Sequence, residues 1–88
     1  MIIAFADKGW EDYLFWQKSD KKILKRINLL LNDIKRNPND NEGIGKPERL
    51  KANLSAYYSR RITEEHRLIY KIVDETIIVA QCRFHYGN

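Results

Sequence analysis

Residues 57–85 read YYSRRITEEHRLIYKIVDETIIVAQCRFH, and this stretch decides the fold. Its apolar and polar residues alternate at the period of a β-strand rather than that of a helix. Short polar joints divide it into three predicted strands, 57–63, 65–73 and 76–85. Consecutive strands on such short connections can only be antiparallel neighbours. The C-terminal part of the chain therefore predicts a three-stranded antiparallel meander.

A helix is the clearest prediction upstream of the meander. Its apolar positions i, i+4, i+7, i+8 and i+11 share one face, and its lysines and arginines fall mainly on the other. Pro38 prevents its continuation, and cations in its last turn suit the negative end of the helix. The apolar face is formed by Ile23, Ile27, Leu30, Leu31 and Ile34.

A shorter helix is predicted at 8–17, and residues 2–5 predict a first strand. Asp7 is a candidate N-cap for this shorter helix, and either Ser19 or Asp20 for the next one. Because the joint is so short, we expect an antiparallel helical hairpin. Residues 37–47 are rich in Asn, Asp, Gly and Pro, which predicts a loop. The order strand, helix, helix and meander is an α+β plan, with the helices on one sheet face and the other face open.

Length and composition limit the class of protein. The 88 residues leave room for one domain, 1–88, with one modest core. No apolar run is long enough to cross a membrane, so no membrane association is expected. The single cysteine, Cys82, cannot form an internal disulfide, which fits a reducing compartment and predicts a cytoplasmic protein. The net charge of +4 and pI near 9.3 favour a polyanionic partner such as nucleic acid.

The strand pattern predicts a cationic surface on the open sheet face. Alternation places Arg67 and Lys71 there, opposite the apolar positions of the same strand. Arg83 lies on one face of the last strand, and Arg60 and Arg61 straddle both faces of the first meander strand. Such a surface suits a phosphate backbone. On charge alone, however, a solvated surface without a ligand is the more common explanation.

The two histidines differ in their predicted roles. His66 alternates with core residues, which favours a hydrogen-bonded structural role. His85 lies close to the end of the chain, where an imidazole can exchange a proton near neutral pH, although most such histidines are inert surface residues. Two histidines and one cysteine at unrelated spacings form no metal-ligand pattern, and no phosphate-binding loop is present. We therefore expect neither a metal nor a cofactor.

Four segments of the sequence together resemble one known family. They are, in order, Trp10-Glu11-Asp12-Tyr13, Gly45-Lys46-Pro47-Glu48, Ser59-Arg60-Arg61-Ile62-Thr63-Glu64-Glu65-His66-Arg67-Leu68-Ile69-Tyr70 and Cys82-Arg83-Phe84-His85-Tyr86. In this order they resemble the YoeB toxins, which belong to the RelE/ParE superfamily of bacterial toxin–antitoxin systems. The resemblance runs from about residue 10 to residue 86, nearly the whole chain.

The resemblance implies a RelE-like fold and a ribosome-dependent endoribonuclease that cleaves messenger RNA in the decoding site. It implies catalytic roles for Glu48, Arg67 and His85. Tyr86 would complete the site, and Lys51 and Arg61 would contact phosphates. The predicted RNA-binding residues are these three, Tyr86, Lys51 and Arg61, together with Arg60 and Arg83 from the cationic surface.

These residue types suit metal-free RNA cleavage, in which a 2′-hydroxyl attacks the neighbouring phosphate. A base must take the hydroxyl proton, an acid must protonate the departing 5′-oxygen, and a cation must stabilise the charge on the phosphate. Glu48 as base, His85 as acid and Arg67 as clamp supply one group of each kind. The fork of an arginine suits a phosphate better than the point charge of a lysine.

The resemblance also implies partners: a YefM/Phd-type antitoxin, the ribosome with its messenger, and operator DNA for the toxin–antitoxin complex. Relatives often form toxin dimers. The chain departs from the family in a longer loop at 37–45, in Phe84 where tyrosine is common, and in the added Gly87-Asn88. Two alternatives remain open: a ParE-like toxin that binds DNA gyrase without chemistry, and a non-catalytic RNA-binding module.

Overall fold

Two helices pack on one face of a five-stranded sheet in the computed structural model, which describes residues 1–38 and 42–85. The α-helices are α1 (Asp7–Ser19) and α2 (Lys21–Arg36), and the strands are β1 (Ile2–Phe5), β2 (Glu48–Arg49), β3 (Tyr58–Arg61), β4 (Arg67–Val73) and β5 (Thr76–Gln81). The sheet order is β1-β5-β4-β3-β2, and neighbours are antiparallel except for β1 and β5, which are parallel. The predicted α+β plan and the antiparallel meander are confirmed.

The helical hairpin turns at Asp20, whose carboxylate accepts hydrogen bonds from the backbone N–H groups of Lys22 and Ile23. This is the N-cap interaction that satisfies unpaired donors in the first turn of a helix. The Tyr13 hydroxyl donates to the Asn28 side-chain oxygen across the hairpin. The two residues lie at similar distances from the turn, as expected for antiparallel helices. The prediction that Asp7 caps α1 is wrong, because α1 begins at that residue and Ala6 occupies the N-cap position. The carboxylate still lies in the first turn, where the helix dipole favours it.

The core lies between the helices and the inner sheet face. The predicted apolar face of α2 is mostly buried there, against β4 and β5. α1 approaches β5 closely at Gly9, where a Cβ atom would lie 2.3 Å from the carbonyl oxygen of Val79. Only glycine permits that approach. Among the described residues, no helix is both long and apolar enough to cross a membrane.

The strand boundaries differ from the prediction near the end of the chain. β5 ends at Gln81 rather than at residue 85, because the backbone of Cys82 bonds to α1: its N–H donates to the Asp12 carboxylate and its carbonyl accepts from the Trp16 indole. The register also shifts, leaving Ala80 as an extra residue between two paired positions. β3 ends at residue 61 rather than 63, and the two-residue β2 was not predicted.

Candidate functional site

A cavity of about 370 Å³ lies on the open sheet face, where β2, β3 and β4 meet the segment that follows β5. The three side chains to which the family resemblance assigns catalysis, Glu48, Arg67 and His85, all line it. They come from β2, from the start of β4 and from the C-terminal segment. The full lining is Lys46, Pro47, Glu48, Leu50, Ser59, Arg61, Arg67 and His85.

The Arg67 side chain is held at the cavity wall by hydrogen bonds to backbone carbonyls. One guanidinium nitrogen, Nη1, donates to the carbonyl oxygens of Thr63, Glu64 and His66 at 2.6, 3.0 and 3.1 Å. The turn that supplies these carbonyls is itself braced, because the Thr63 hydroxyl accepts from the N–H groups of Glu65 and His66. The turn thus fixes the cation at the first residue of β4.

His85 lies beside this guanidinium. Its Nε2 atom is 3.3 Å from the carbonyl oxygen of Glu64, the same oxygen that accepts from Arg67. A carbonyl oxygen can only accept, so the imidazole donates to it in the tautomer that carries its proton on Nε2. The ring is exposed, and the cavity therefore presents an imidazole next to the Arg67 guanidinium.

Glu48 is the first residue of β2, directly after a loop that packs closely against β3. The Gly45 carbonyl accepts from the Arg61 N–H at 2.6 Å, and Gly45 has a left-handed backbone with φ of 81°. A Cβ atom there would lie 2.8 Å from the side chain of Leu30, so the close approach needs glycine. Glu48 itself is exposed and lies opposite Ser59 in the β2–β3 pair.

The cavity is cationic overall. Lys46, Arg61 and Arg67 supply three positive charges against the single carboxylate of Glu48. These cations lie close together and are accessible from solvent, so the cavity suits an anion such as a phosphodiester. Lys46 and Ser59 are not among the site residues predicted from the sequence. Lys46 could have been found, because it stands inside the Gly-Lys-Pro-Glu segment that supplied Glu48.

Arg60 does not lie on the open face. It pairs with Leu68 on the core side of the sheet, has no exposed surface, and forms an ion pair with Asp33 of α2. Its guanidinium also donates to the Tyr70 hydroxyl and to the Ile44 carbonyl. The hydrogen bond from Arg60 is the main reason that the pKa of Asp33 lies below its usual value. We therefore leave Arg60 out of the proposed RNA contacts.

Two further predicted contacts lie outside the cavity. The Arg83 guanidinium stacks on aromatic rings, 3.7 Å from the ring centre of Phe15 and 4.7 Å from that of Phe84, which turns it toward α1. It points there because β5 has already ended and the chain has left the sheet. Lys51 is exposed in a shallow groove beside Glu48. Tyr86 and the Gly87-Asn88 tail lie outside the described residues, as does part of the longer 37–45 loop.

The segment that carries His85 is held by one side-chain contact and by one backbone hydrogen bond to the start of β4. The Phe84 N–H donates to Nδ1 of His66 at 2.8 Å, and the Phe84 carbonyl accepts from the Arg67 N–H. Burial is the main cause that lowers the pKa of His66, and burial raises the pKa of the Cys82 thiol to about 12. The predicted hydrogen-bonded, core-facing role of His66 is confirmed.

The sequence matches a model of one protein family along nearly all its length. The family is described as YoeB-like toxins of bacterial type II toxin–antitoxin systems, and the match covers residues 5–86. The toxin YoeB of Synechocystis is 60% identical over 86 residues, covering 98% of each chain. The toxin YoeB of Escherichia coli K12 is 52% identical, covering 98% of this chain and all of the other.

Solved structures agree with this match. A YoeB/ParE toxin from Agrobacterium tumefaciens superposes with a TM-score of 0.92 at 43% identity, covering 98% of this chain and all of the other. The YoeB–YefM toxin–antitoxin complex from Staphylococcus aureus has a chain with a TM-score of 0.88 at 52% identity, covering 98% of each. YafQ from Escherichia coli, at 18% identity and a TM-score of 0.74, shares the fold alone.

Proposed function

The chain belongs to the YoeB-like toxin family of bacterial type II toxin–antitoxin systems, and on that premise we propose that it is an endoribonuclease that cleaves messenger RNA in the decoding site of the ribosome. One observation supports this proposal above all. Glu48, Arg67 and His85 line a single cationic cavity, and the last two meet at one carbonyl oxygen.

In the proposed reaction, Glu48 takes the proton from a ribose 2′-hydroxyl, and that oxygen attacks the adjacent phosphorus. The bond between phosphorus and the 5′-oxygen breaks, and the imidazolium form of His85 passes its Nε2 proton to the departing oxygen and becomes neutral. Arg67 stabilises the additional negative charge on the phosphate, assisted by Arg61 and Lys46. The products are a 2′,3′-cyclic phosphate and a 5′-hydroxyl. Glu48 then releases its proton to solvent and His85 takes one up, so the net reaction consumes no water.

The open cavity gives a physical reason for dependence on the ribosome. Glu48 and His85 are both exposed, so bulk water weakens their interactions with a bound phosphate. Packing of the cavity against ribosomal RNA would exclude that water and hold the messenger in line for attack. The proposed site of action is therefore the cytoplasm, where translation takes place.

We assign this chain a YefM-type antitoxin as its inhibitor. The Staphylococcus aureus structures are of a YoeB–YefM complex and of a YoeB dimer, and this chain is about half identical to those toxins. An acidic antitoxin segment that folds on binding would complement the cationic cavity and cover it. The proposed complex would bind its own operator DNA, and the toxin alone would form a homodimer.

Addition of the purified protein to translating ribosomes tests the activity. We expect breaks in the messenger at the decoding site, with cyclic phosphate ends, and no cleavage of the same RNA without ribosomes. His85→Ala and Arg67→Ala should abolish the breaks. Intact messenger together with gyrase-dependent DNA breaks would overturn the proposal in favour of a ParE-like toxin. RNA affinity that survives without any cleavage would instead support a non-catalytic binding module.

A further inference from the structure

His66 is a buried imidazole that does not line the cavity but bonds to Phe84, the residue before His85. Its side chain is almost entirely enclosed, with 8% of the residue exposed. The ring packs edge-on against Trp16 of α1, with 4.8 Å between ring centres, and also contacts the Phe84 ring. Its Nδ1 atom accepts the Phe84 N–H, so the proton of the neutral ring lies on Nε2.

The residue that His66 holds has a strained backbone. Phe84 has φ of 63°, in the left-handed region that bulky side chains rarely adopt. Such a conformation persists only when the surrounding structure enforces it, and strained residues cluster at functional sites. Phe84 is fixed at both backbone groups, by His66 at its N–H and by Arg67 at its carbonyl. The next residue is His85.

We propose that His66 is a positioning residue, whose unprotonated Nδ1 holds Phe84 in its strained conformation and thereby places the His85 imidazole in the cavity. The proposal rests on the proposed function, because it assigns His66 a part in the cleavage that His85 performs. His66 lines no part of the cavity, so it acts through the backbone of its neighbour. A displacement of a reacting group by about 1 Å can reduce a rate by roughly 100-fold.

The link is sensitive to protonation. A second proton on the ring would occupy Nδ1 and turn an acceptor into a donor that faces the Phe84 N–H. The charges around His66 mostly oppose that proton: Arg67, Arg83 and His85 disfavour it, whereas the Glu65 carboxylate, 3.6 Å from Nε2, favours it. Trp16, the α1 residue packed on the ring, carries no charge. Burial is the largest cause of the lowered pKa of His66, and it favours the neutral ring at neutral pH.

Two substitutions separate the acceptor from the ring. In His66→Asn the side-chain oxygen takes the place of Nδ1 on Cγ and accepts without titrating, whereas His66→Leu keeps bulk and removes the acceptor. On translating ribosomes we expect His66→Leu to lower kcat by about 10–100-fold with little change in KM, and His66→Asn to recover much of that loss. The His66→Asn protein should also retain its activity to lower pH than the wild type. Equal kcat values for both variants would overturn the proposal.

Amide hydrogen exchange at Phe84, followed by NMR on the isolated protein, provides a readout that needs no catalysis. Exchange should be slow in the wild type and in His66→Asn, and fast in His66→Leu. In the wild type, exchange relative to that of an unprotected amide at the same pH should become faster as the pH falls below 6.5. This second experiment needs no variant, so it decides the question even if His66→Leu does not fold. Unchanged exchange in both experiments would overturn the positioning role. A wild type that cleaves nothing would overturn the proposed function, while exchange at Phe84 would still decide whether His66 holds the segment.

Discussion

The cavity has two sides that are built differently. On the sheet side, Arg61 and Arg67 stand opposite each other on paired strands, and three backbone carbonyls hold the Arg67 guanidinium. On the other side, His85 follows the end of β5, in a segment held by the side chains of Asp12, Trp16 and His66. The Arg67 guanidinium is thus fixed by the backbone carbonyls of one turn. The His85 segment instead depends mainly on side chains from α1 and on His66, with one backbone hydrogen bond from Arg67 to Phe84 joining the two sides.

The largest effect should come from removing either of the side chains proposed to be catalytic, Arg67 or His85, and the two variants should differ in stability. We expect Arg67→Ala and His85→Ala each to reduce cleavage by roughly 10²–10⁴-fold. Arg67→Ala should also cost stability, about 1.5–3 kcal/mol, because the turn at 62–66 loses charged hydrogen bonds. The midpoint of urea unfolding of His85→Ala should equal that of the wild type, because the His85 ring is exposed. Equal stability loss in both variants would contradict the contrast between the two sides.

Arg60 and Arg61 test the sheet side with a matched pair of neighbours. Arg60→Met leaves the carboxylate of Asp33 without its buried partner, and we expect a loss of about 3–5 kcal/mol in the free energy of unfolding. Arg61→Met, on the exposed cavity wall, should change stability by less than about 0.5 kcal/mol and weaken cleavage instead. Urea unfolding and the ribosome assay measure the two effects. A stable Arg60→Met protein would show that the ion pair is dispensable.

Acid unfolding should report the same ion pair. The pKa of Asp33 is lowered in the folded protein, so the unfolded chain binds the proton more readily. Its contribution to stability is therefore complete above pH 3.8 and is lost as the pH falls through the lowered pKa. Asp33→Asn should be less stable at neutral pH and show a shallower loss in this range. Asp74→Asn, an exposed aspartate in the β4–β5 turn, is the control and should follow the wild type.

The smallest effect concerns Cys82, at the junction between β5 and the C-terminal segment. Its thiol is buried with a pKa of about 12, so iodoacetamide should label it at pH 8 only when the segment opens. Asp12→Asn weakens the hydrogen bond that the Cys82 N–H makes, and should raise the labelling rate severalfold. Labelling of the wild type at the rate of a free thiol would show that this side of the cavity is not held at all.

The fold could largely be predicted from local pattern. The 3.6-residue period of α2 and the alternation after residue 57 predicted the hairpin and the meander, and both are confirmed. The two-residue β2 escaped prediction because Glu48–Arg49 is too short to show a period. The end of β5 escaped it because Cys82 turns to Asp12 and Trp16, which lie far away in sequence. Pattern detects repeating burial but not single long-range hydrogen bonds.

The site could be predicted less well from residue types alone. Arg60 and Arg61 look alike in sequence, and only the register with β4 shows that Arg60 faces the core and Asp33. Charge and alternation predicted a cationic face, but the choice of Glu48, Arg67 and His85 came from the family resemblance. The structure adds their common cavity and the hydrogen bond by which His66 holds the Phe84 N–H next to His85.

The parallel pairing of β1 with β5 joins the first residues of the chain to its last strand, since Ile2 lies opposite Thr76. During synthesis β1 emerges long before its partner exists, and contacts between such distant segments form slowly because most of the chain must close into a loop. A product of interrupted synthesis that lacks β5 has nothing to pair with β1, and it also lacks His85. We therefore expect β1 of the nascent polypeptide to stay unpaired until β5 has left the ribosome.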